Sequence, residues 1–297
     1  MNINKLKNKF FNQMKFDEKL SSFTWFGVGG DAEILFTPDN IDRVINFIKD
    51  KPKNLRVFTI GAGSNILIRD NGIKGISLLT KNLNNITMDE KGVITAESGA
   101  NDIQVARFAR ENERTDLEFL VGIPGTIGGG IRMNSGAFGS EFKDVLIDVN
   151  AINQSGELKT FTSEELGMKY RHIDLSSDWI FNSARFKTSV GNKKDIQSKM
   201  KEIIRLRGKS QPTGVKTGGS TFMNTSKYKA WELIDKAGCR GLKFGDAMIS
   251  EKHCNFIINT KKSSAQEIEN LGELVKEKVM ASSGIDMNWE IQKVGLK

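Results

Sequence analysis

Residues 121–139 read VGIPGTIGGGIRMNSGAFG, and this stretch decides how the rest of the chain is interpreted. It holds seven glycines and one proline, with Arg132 as its only charged residue. Because glycine loses more backbone entropy than other residues, such a run should not form an ordinary strand or helix interior. The apolar residues between the glycines argue against a solvated linker. We predict a glycine cradle whose bare N–H groups hold a cofactor, with a tight buried turn as the alternative.

The composition is typical of a soluble globular protein. The chain has 297 residues, 38% hydrophobic and 27% charged, which is enough for a large core and two or three compact units. Lysines interrupt the apolar residues of the N-terminus, so no secretory signal is expected there. No run reaches the roughly 20 apolar residues that span a bilayer. We therefore predict a cytoplasmic protein with no membrane partner.

The net charge of +8 is explained most simply by a lysine-rich surface. A phosphate-bearing ligand or nucleic acid would also suit it. Nucleic acid is the weaker alternative, because no basic block is interleaved with aromatic residues. The cysteines Cys239 and Cys254 and the histidines His172 and His253 lack the spacing of metal ligands, so no metal site is expected.

A second glycine loop follows a predicted βαβ unit. Residues 32–37 and 55–60 have the pattern of strands, and 40–50 that of a helix capped by Asn40, which predicts a parallel strand pair. The second strand ends in a loop of five residues, Gly61-Ala62-Gly63-Ser64-Asn65. Because open α/β sheets bind phosphates at the carboxyl ends of their strands, this loop is a candidate phosphate site.

The remaining elements follow from periodicity and caps. The basic N-terminal tail is expected to be a surface helix or a disordered arm. Strands are predicted at 75–79, 93–96, 145–152, 158–162, 179–188, 255–259 and 289–294. Helices are predicted at 102–111, 194–207 and 229–237, and after the capping box Ser264-x-x-Glu267. A change of composition near Gly191 marks a domain boundary.

An ordered set of motifs, from about Thr24 to Glu290, resembles the UDP-N-acetylenolpyruvoylglucosamine reductase family. These motifs are GVGGDA, GAGSN, GIPGTIGGGIRMNSGAFG, YR at 170–171, QP at 211–212, GGSTFMN, AWELIDKAGCRG and SEKHCNFI. The chain departs from the family pattern at Ala62, Arg132, Ser135, Phe138, Met223 and Thr225. Because Tyr170 and Tyr228 are its only tyrosines, it resembles the subclass without a substrate-clamping tyrosine loop.

The resemblance implies an α+β fold with α/β elements. A two-lobed FAD-binding unit of the PCMH/VAO-like type, residues 22–190 with lobes 22–80 and 81–190, would precede a smaller α+β substrate-binding domain, residues 191–297. FAD would be held noncovalently, because no His or Cys precedes His172. The implied cofactor-binding residues are Gly61, Ala62, Gly63, Ser64, Asn65, Gly122, Ile123, Pro124, Gly125, Thr126, Gly128 and Gly129.

The implied activity is the NADPH-dependent, FAD-mediated reduction of UDP-N-acetylglucosamine enolpyruvate to UDP-N-acetylmuramate, a peptidoglycan precursor. Ser220 matches the family's proton donor, Arg171 the arginine facing the substrate carboxylate, and Glu290 the catalytic glutamate. Their ordinary alternatives are a turn hydroxyl, a surface ion pair and a solvated strand position. Further substrate contacts are implied at Tyr170, Asn224, Lys252 and His253.

Two other functions stay open at this level. A different FAD-dependent oxidoreductase of the same fold, acting on a sugar or hydroxy acid, would share the glycine stretches but not the ordered Arg171, Ser220 and Glu290. A noncatalytic basic protein that binds nucleic acid or a nucleotide would lack flavin altogether. For the reductase we expect no nucleic-acid partner and a monomer or weak oligomer.

Overall fold

The computed structural model describes residues 3–297. Its α-helices are α1 (Ile3–Lys9), α2 (Ile41–Asp50), α3 (Asp102–Glu111), α4 (Ile127–Arg132), α5 (Phe142–Val145), α6 (Lys193–Ser210), α7 (Ala230–Lys236) and α8 (Ala265–Ser283). Its longer strands and short bridging strands are β1 (Met14–Lys19), β2 (Asp31–Phe36), β3 (Val57–Ile60), β4 (Ile66–Ile68), β5 (Ile73–Leu79), β6 (Ile86–Met88), β7 (Ile94–Glu97), β8 (Arg114–Thr115), β9 (Gly136–Ala137), β10 (Ser140–Glu141), β11 (Leu146–Asn153), β12 (Leu158–Thr162), β13 (Trp179–Phe186), β14 (Ser189–Val190), β15 (Lys216–Ser220), β16 (Lys243–Phe244), β17 (Ala247–Ile249), β18 (Phe256–Asn259) and β19 (Gln292–Val294). Within residues 3–297, no helix has the length and hydropathy needed to cross a membrane.

The chain forms two compact units, each assembled from separate segments. The first unit comprises the segment ending at Phe16, Ile34–Ala62 and Gly75–Leu206. The second comprises Asp17–Glu33, Gly63–Lys74 and Arg207–Lys297. The division predicted at residue 191 stays a prediction. Helix α6, which begins just after that position, places Ile196 and Met200 in the core of the first unit.

The main sheet of the first unit has the strand order β12–β11–β13–β7–β6. Its neighbouring strands are all antiparallel. The predicted strands near 94, 146, 158 and 179 are all found in it. Helix α4 contacts β13 and β7. Edge-on contacts of Phe142 with Phe119 and Phe186, each with ring centroids 5.9 Å apart, fill the core beneath the helices.

A second sheet has the order β1–β2–β5–β3, and this order corrects the predicted parallel pair. The strand predicted at 32–37 and the strand predicted at 55–60 both form, as β2 and β3, but they are not neighbours. Strand β5 lies between them and pairs in parallel with β3, Val57 opposite Ile76. Local periodicity identified the strands, but it does not encode a later strand that inserts between two earlier ones.

The N-terminal tail is folded and anchored by apolar side chains. The helix alternative is confirmed from Ile3 onward, and Leu6 and Phe10 are fully buried. The ring of Phe10 packs edge-on against Phe36 and Phe47, with centroids 5.6 and 5.2 Å away. The alternative of a disordered arm is therefore wrong for these residues, because buried aromatic contacts hold them in place.

The second unit contains an antiparallel sheet of order β15–β18–β17–β16 and the long helix α8. The predicted capping box is confirmed: the Glu267 N–H donates to Ser264 Oγ at 3.0 Å, and the Ser264 N–H donates to Glu267 Oε2 at 3.0 Å. The predicted inward residues of the helix, Ile268, Leu271, Val275 and Val279, are all fully buried. Near the C-terminus, β19 pairs in parallel with β4.

A paired arginine and glutamate connect the residue after β4 to helix α8. Arg69 donates from Nε and Nη2 to the two carboxylate oxygens of Glu269, at 2.9 and 3.0 Å. This pairing holds the pKa of Glu269 below its ordinary value. Lys293 adds a more distant contact, at 3.5 Å. The two-point geometry makes the pair stronger than an exposed ion pair.

We predict that Glu269→Gln lowers the free energy of unfolding by about 2 kcal/mol at pH 7, since hydrogen bonds to charged groups contribute about 1.5–3 kcal/mol. A lowered native pKa means that the contribution is complete above the ordinary glutamate pKa. It is lost as the pH falls through the lowered value, so the difference from wild type should shrink in acid. Urea unfolding between pH 3 and pH 7 measures it.

The exposed Glu277, on the same helix, provides the control. Glu277→Gln removes the same charge and should change stability by less than about 0.5 kcal/mol. Equal effects of the two substitutions would show that helix charge, and not the pairing with Arg69, accounts for the loss.

Candidate functional site: a glycine cradle and a serine–glutamate strand pair

The chain leads into the glycine cradle by a 3₁₀ turn, Glu118–Gly122, and the cradle then forms helix α4. The expectation that these glycines avoid a helix interior is wrong, because Gly128 to Gly130 lie inside α4. Their neighbours give the reason. A Cβ on Gly128 would meet Ser98 Cβ at 3.0 Å, and a Cβ on Gly130 would overlap the ring of Phe142. Close packing therefore requires glycine here, despite its helical penalty.

The two predicted cofactor stretches meet at Gly61 and Thr126. A Cβ on Gly61 would overlap Thr126 Oγ1, so only glycine allows this approach. Farther along the same loop, Gly63 has φ 66°, and a side chain there would overlap the carbonyl of Phe23. The Gly63 carbonyl accepts a hydrogen bond from the Trp25 N–H at 2.9 Å. Glycine is thus required at both positions for the loop to form.

Buried polar atoms without partners lie along the cradle, among the residues that the structure describes. The hydroxyls of Thr126 and Ser98 are buried and make no hydrogen bond. Buried polar groups in native proteins are almost always paired, so such atoms point to a partner that is not protein. Together with the Cβ-free surface at Gly61 and Gly125, they fit a bound FAD better than they fit a closed turn.

The Tyr170-Arg171 pair, predicted to face substrate, forms the tip of a tight turn. The N–H and carbonyl groups of Lys169 and His172 exchange hydrogen bonds of 2.8 and 3.1 Å across it. Arg171 has φ 55°, a left-handed conformation that is uncommon for a side chain of this size. From the cradle, the fully buried Asn134 donates from Nδ2 to the Lys169 carbonyl at 3.1 Å. Asn134 therefore links the cradle to the arginine turn.

Arg132, the only charge in the cradle, fixes the segment that follows this turn. Its guanidinium donates to the carbonyls of Leu175 and Ser176 at 3.1 and 3.2 Å, and also to that of Trp179. Its Cζ lies 4.4 Å from the ring centroid of Phe181. Burial lowers the pKa of Arg132 to about 10, so it remains charged at neutral pH. Neither Asn134 nor Arg132 was assigned a role from sequence, although a lone charge among glycines was a signal.

In the second unit, Ser220 is the last residue of β15, and Glu290 follows Trp289, which forms an isolated β-bridge with Phe222. The Glu290 N–H donates to the Thr221 carbonyl at 2.8 Å, and the Glu290 carbonyl accepts from Asn65 Nδ2 at 3.2 Å. The expectation that Glu290 could occupy a solvated strand position is not met, because only 9% of the residue is exposed. Ser220 follows Gly219 at a register shift in the β15–β18 pairing, and so ends a strand rather than lying in a turn. Bulges of this kind often redirect side chains beside active sites.

The other predicted substrate contacts are engaged locally. Asn224 Oδ1 accepts from the Ala230 N–H at 2.9 Å, at the start of α7, and Lys252 Nζ donates to the Gly208 carbonyl at 2.6 Å. The ring of His253 packs on Phe256, and burial lowers its pKa. These contacts neither require nor exclude a substrate, so the three assignments stay predictions.

A cavity of about 760 Å³ lies beside the last residues of the cradle. Its lining combines apolar and charged side chains: Asp116, Glu118, Phe119, Phe138, Ser140, Asp144, Val145, Lys187, Thr188, Ser189, Lys199, Glu202, Ile203 and Leu206. Its size is that of a small-molecule site. None of the site residues predicted from sequence lines it, because the lining comes from segments that are far apart along the chain.

The predicted residues thus form two groups. The cradle, Gly61 and Arg171 belong to the first unit, whereas residues 63–65, Ser220 and Glu290 belong to the second. Within residues 3–297, no group of three or more His, Cys, Asp or Glu side chains is arranged to hold a metal ion.

Comparison with known proteins decides the family. An FAD binding domain model matches residues 32–162, and the model for the C-terminal domain of UDP-N-acetylenolpyruvoylglucosamine reductase matches residues 211–294. The UDP-N-acetylenolpyruvoylglucosamine reductase of Rickettsia bellii is 48% identical over 94% of this chain and 93% of its own length. The chain belongs to the UDP-N-acetylenolpyruvoylglucosamine reductase family. The reductase of Paramagnetospirillum magneticum is also 48% identical, over 96% of this chain and 93% of its own length.

The solved structures agree with this assignment. The crystal structure of the Thermus caldophilus reductase aligns with a TM-score of 0.82 at 30% identity, covering 95% of this chain and 98% of that one. The resemblance stated from the motifs is therefore confirmed, as are the α+β fold of an FAD-binding domain followed by the reductase C-terminal domain, and FAD as cofactor.

Gly61→Ala should raise the dissociation constant of FAD by roughly tenfold to a hundredfold. The new methyl group displaces Thr126, and inserting a methyl into a packed site typically costs about 1–3 kcal/mol. Titration of cofactor-free protein with FAD, followed by flavin fluorescence, measures the change.

Gly208→Ala is the control, because a Cβ on Gly208 has no neighbour within 4 Å. It should leave FAD affinity unchanged and slightly stabilise α6. If Gly61→Ala bound FAD with unchanged affinity, the contact between Gly61 and Thr126 would play no part in FAD binding.

Proposed function

We propose that Ser220, Arg171 and Glu290 carry out the reaction of this enzyme. As a member of its family, the protein is an NADPH-dependent UDP-N-acetylmuramate dehydrogenase. It reduces UDP-N-acetylglucosamine enolpyruvate to UDP-N-acetylmuramate in peptidoglycan precursor synthesis. The observation that carries the assignment of the residues is the backbone hydrogen bond from the Glu290 N–H to the Thr221 carbonyl, which joins the buried Glu290 to the residue that follows Ser220.

Bound FAD would supply the redox chemistry, the transfer of a hydride from NADPH to C3 of the enolpyruvyl group. The residues proposed to hold it are Gly61, Ala62, Gly63, Ser64, Asn65, Gly122, Ile123, Pro124, Gly125, Thr126, Gly128 and Gly129. Their glycines expose N–H groups without Cβ atoms, which suits close contact with phosphates and a flat ring. In this proposal FAD is held noncovalently, because no histidine or cysteine that could be attached to the flavin precedes His172.

Arg171 is proposed to bind the substrate carboxylate. A guanidinium remains charged at every physiological pH and can donate to both carboxylate oxygens at once. As C3 is reduced, electron density moves toward C2 and the carboxylate, so this interaction strengthens in the transition state. The left-handed backbone at Arg171 and the bond from Asn134 to the turn fix where this side chain begins.

Ser220 is proposed to donate the proton that C2 receives, and Glu290 to act beside it. A free serine is a weak acid, so proton donation requires cations or hydrogen-bond donors that stabilise the alkoxide. The backbone N–H of the buried Glu290 donates to the carbonyl of Thr221, the residue after Ser220.

Tyr170, Asn224, Lys252 and His253 are proposed to contact the substrate. The absence of a tyrosine between residues 171 and 227 supports the subclass without the clamp loop.

We further propose that the enzyme acts in the cytoplasm, as a monomer or weak oligomer, without nucleic-acid or membrane partners. The absence of a membrane-crossing helix among residues 3–297 supports this proposal in part. Sedimentation at micromolar concentration tests the assembly state, and a stable dimer there would contradict it.

Arg171→Lys should lower kcat/KM by about tenfold to a hundredfold despite keeping the charge. Lysine is a point charge that cannot reproduce the two-point contact, and a hydrogen bond to a charged group is worth about 1.5–3 kcal/mol. Arginine and lysine both carry a Cβ, so the left-handed backbone at position 171 is equally strained in the wild type and in the variant. Steady-state oxidation of NADPH with the enolpyruvyl nucleotide measures the change.

The control for this variant is Arg56→Lys, at a position where 87% of the side chain is exposed. It should match the wild type. Near wild-type turnover in Arg171→Lys would mean that Arg171 acts only through its charge.

Ser220→Ala should separate the two half-reactions. Reduction of the flavin by NADPH needs no proton at carbon, so it should continue with little change. The half-reaction with the enolpyruvyl nucleotide should slow by about 10²–10⁴-fold, the usual effect of losing a positioned acid. Ser220→Cys should recover part of that rate, because a thiol can also deliver a proton.

Anaerobic stopped-flow absorbance, first with NADPH and then with the nucleotide, tests this assignment together with the proposed function. If both half-reactions slow equally in Ser220→Ala, Ser220 only shapes the end of its strand. If reduced wild-type enzyme does not react with the enolpyruvyl nucleotide, the proposed substrate itself is wrong.

A further inference from the structure

Four buried side chains of the first unit carry polar atoms without a hydrogen-bond partner at one place along the cradle. They belong to Ser98, Asp102, Thr126 and Asn182. Backbone hydrogen bonds show how close these residues lie. The Ser98 N–H donates to the Asn182 carbonyl at 2.8 Å, the Gly128 N–H donates to the Ser98 carbonyl at 2.8 Å, and the Asp102 N–H donates to the Gly125 carbonyl at 3.2 Å. An isolated β-bridge joins residues 101 and 126.

Asp102 is the most unusual member of this group, because both of its carboxyl oxygens lack a partner. The residue is completely buried in the first turn of α3. Asp102 Oδ2 would lie 2.8 Å from a Cβ on Gly125, so it lies directly against the glycine backbone of the cradle. No side chain at position 125 separates the carboxyl from the cofactor-binding stretch.

The chemistry of Asp102 follows from this setting. Burial without a cation disfavours the charged carboxylate and raises the pKa of the carboxyl well above its ordinary value. A neutral carboxylic acid has one O–H donor and retains acceptor capacity, whereas an ionised one can only accept. An acid kept neutral next to a site for an anionic cofactor can therefore donate a hydrogen bond without repelling its charge.

We propose that Asp102 is a further FAD-holding residue, whose protonated carboxyl donates a hydrogen bond to an acceptor oxygen of the bound cofactor beside Thr126. The proposal rests on the assignment of residues 122–129 to FAD. It assigns a ligand-binding role to the start of α3, a segment outside both glycine stretches. The cofactor gives partners to atoms that the protein alone leaves unpaired.

The test compares two substitutions in cofactor-free protein titrated with FAD. Asp102→Leu, which has the same branched shape but a larger volume, should raise the dissociation constant by about tenfold, the effect of one lost hydrogen bond. Asp102→Asn retains a donor and should bind within about threefold of wild type. The melting temperature of cofactor-free Asp102→Leu should equal or exceed that of the wild type, because the variant removes an unpaired buried polar group.

Ser77→Ala is the matched control. Ser77 lies on β5 and also has a buried hydroxyl without a partner, but it is outside the cradle. Its FAD affinity should equal that of the wild type. Unchanged affinity in Asp102→Leu would overturn the proposal. So would equal losses of affinity in both Asp102 variants with a parallel fall in melting temperature, which would assign the carboxyl to the folding of the loop.

Infrared difference spectroscopy provides a second measurement if Asp102→Leu does not fold. Adding FAD to wild-type protein should shift the C=O stretch of a protonated carboxyl, and that band should be absent in Asp102→Asn. A band that FAD does not move would contradict the proposal. Thr126→Val separates this failure from a wrong cofactor assignment: if neither Thr126→Val nor Gly61→Ala weakens FAD binding, the cradle itself does not hold the cofactor.

Discussion

The close approach of bare glycine backbone to its neighbours is the constraint on which the cofactor-binding unit depends. At Gly61, Gly128 and Gly130, an added Cβ would overlap or press on Thr126, Ser98 and Phe142. The entropic penalty of three glycines in α4 is offset by this packing, which brings a helix, a strand end and a loop to one place. It also leaves the buried hydroxyls of Ser98 and Thr126 without a hydrogen-bond partner beside backbone that carries no Cβ.

The same cradle also positions the turn that carries Arg171. Asn134 and Arg132 donate hydrogen bonds to backbone carbonyls on either side of Tyr170-Arg171. These bonds fix the position of the turn relative to the glycine stretch. Burial keeps Arg132 among carbonyl acceptors and against an aromatic ring, which accounts for a charge in an otherwise apolar run. The glycine cradle and the Tyr170-Arg171 turn therefore share one structural support within the first unit.

The second unit depends on a different interaction, pairing between segments distant in sequence. Asn65 donates from its side-chain amide to the Glu290 carbonyl, and the Glu290 N–H donates to the Thr221 carbonyl. The end of the loop 61–65, Glu290 and the residue after β15 are thus joined by hydrogen bonds. Nearby, Arg69 and Glu269 tie the same early segment to α8. A loop from the N-terminal half of the chain thus becomes part of the C-terminal unit, and neither unit is continuous in sequence.

The sequence by itself determined the family, the activity, the cofactor and the elements with local signals. The helix at 102–111, the Asn40 cap and the Ser264 capping box depend on residues within one or two turns, so their patterns predict them. Tertiary structure alone decided that β5 lies between β2 and β3, that Leu6 and Phe10 are buried, and that α4 contains three glycines. It also decided the burial of Glu290 and the unpaired carboxyl of Asp102. These features depend on contacts between residues far apart in the chain, which neither periodicity nor spacing encodes.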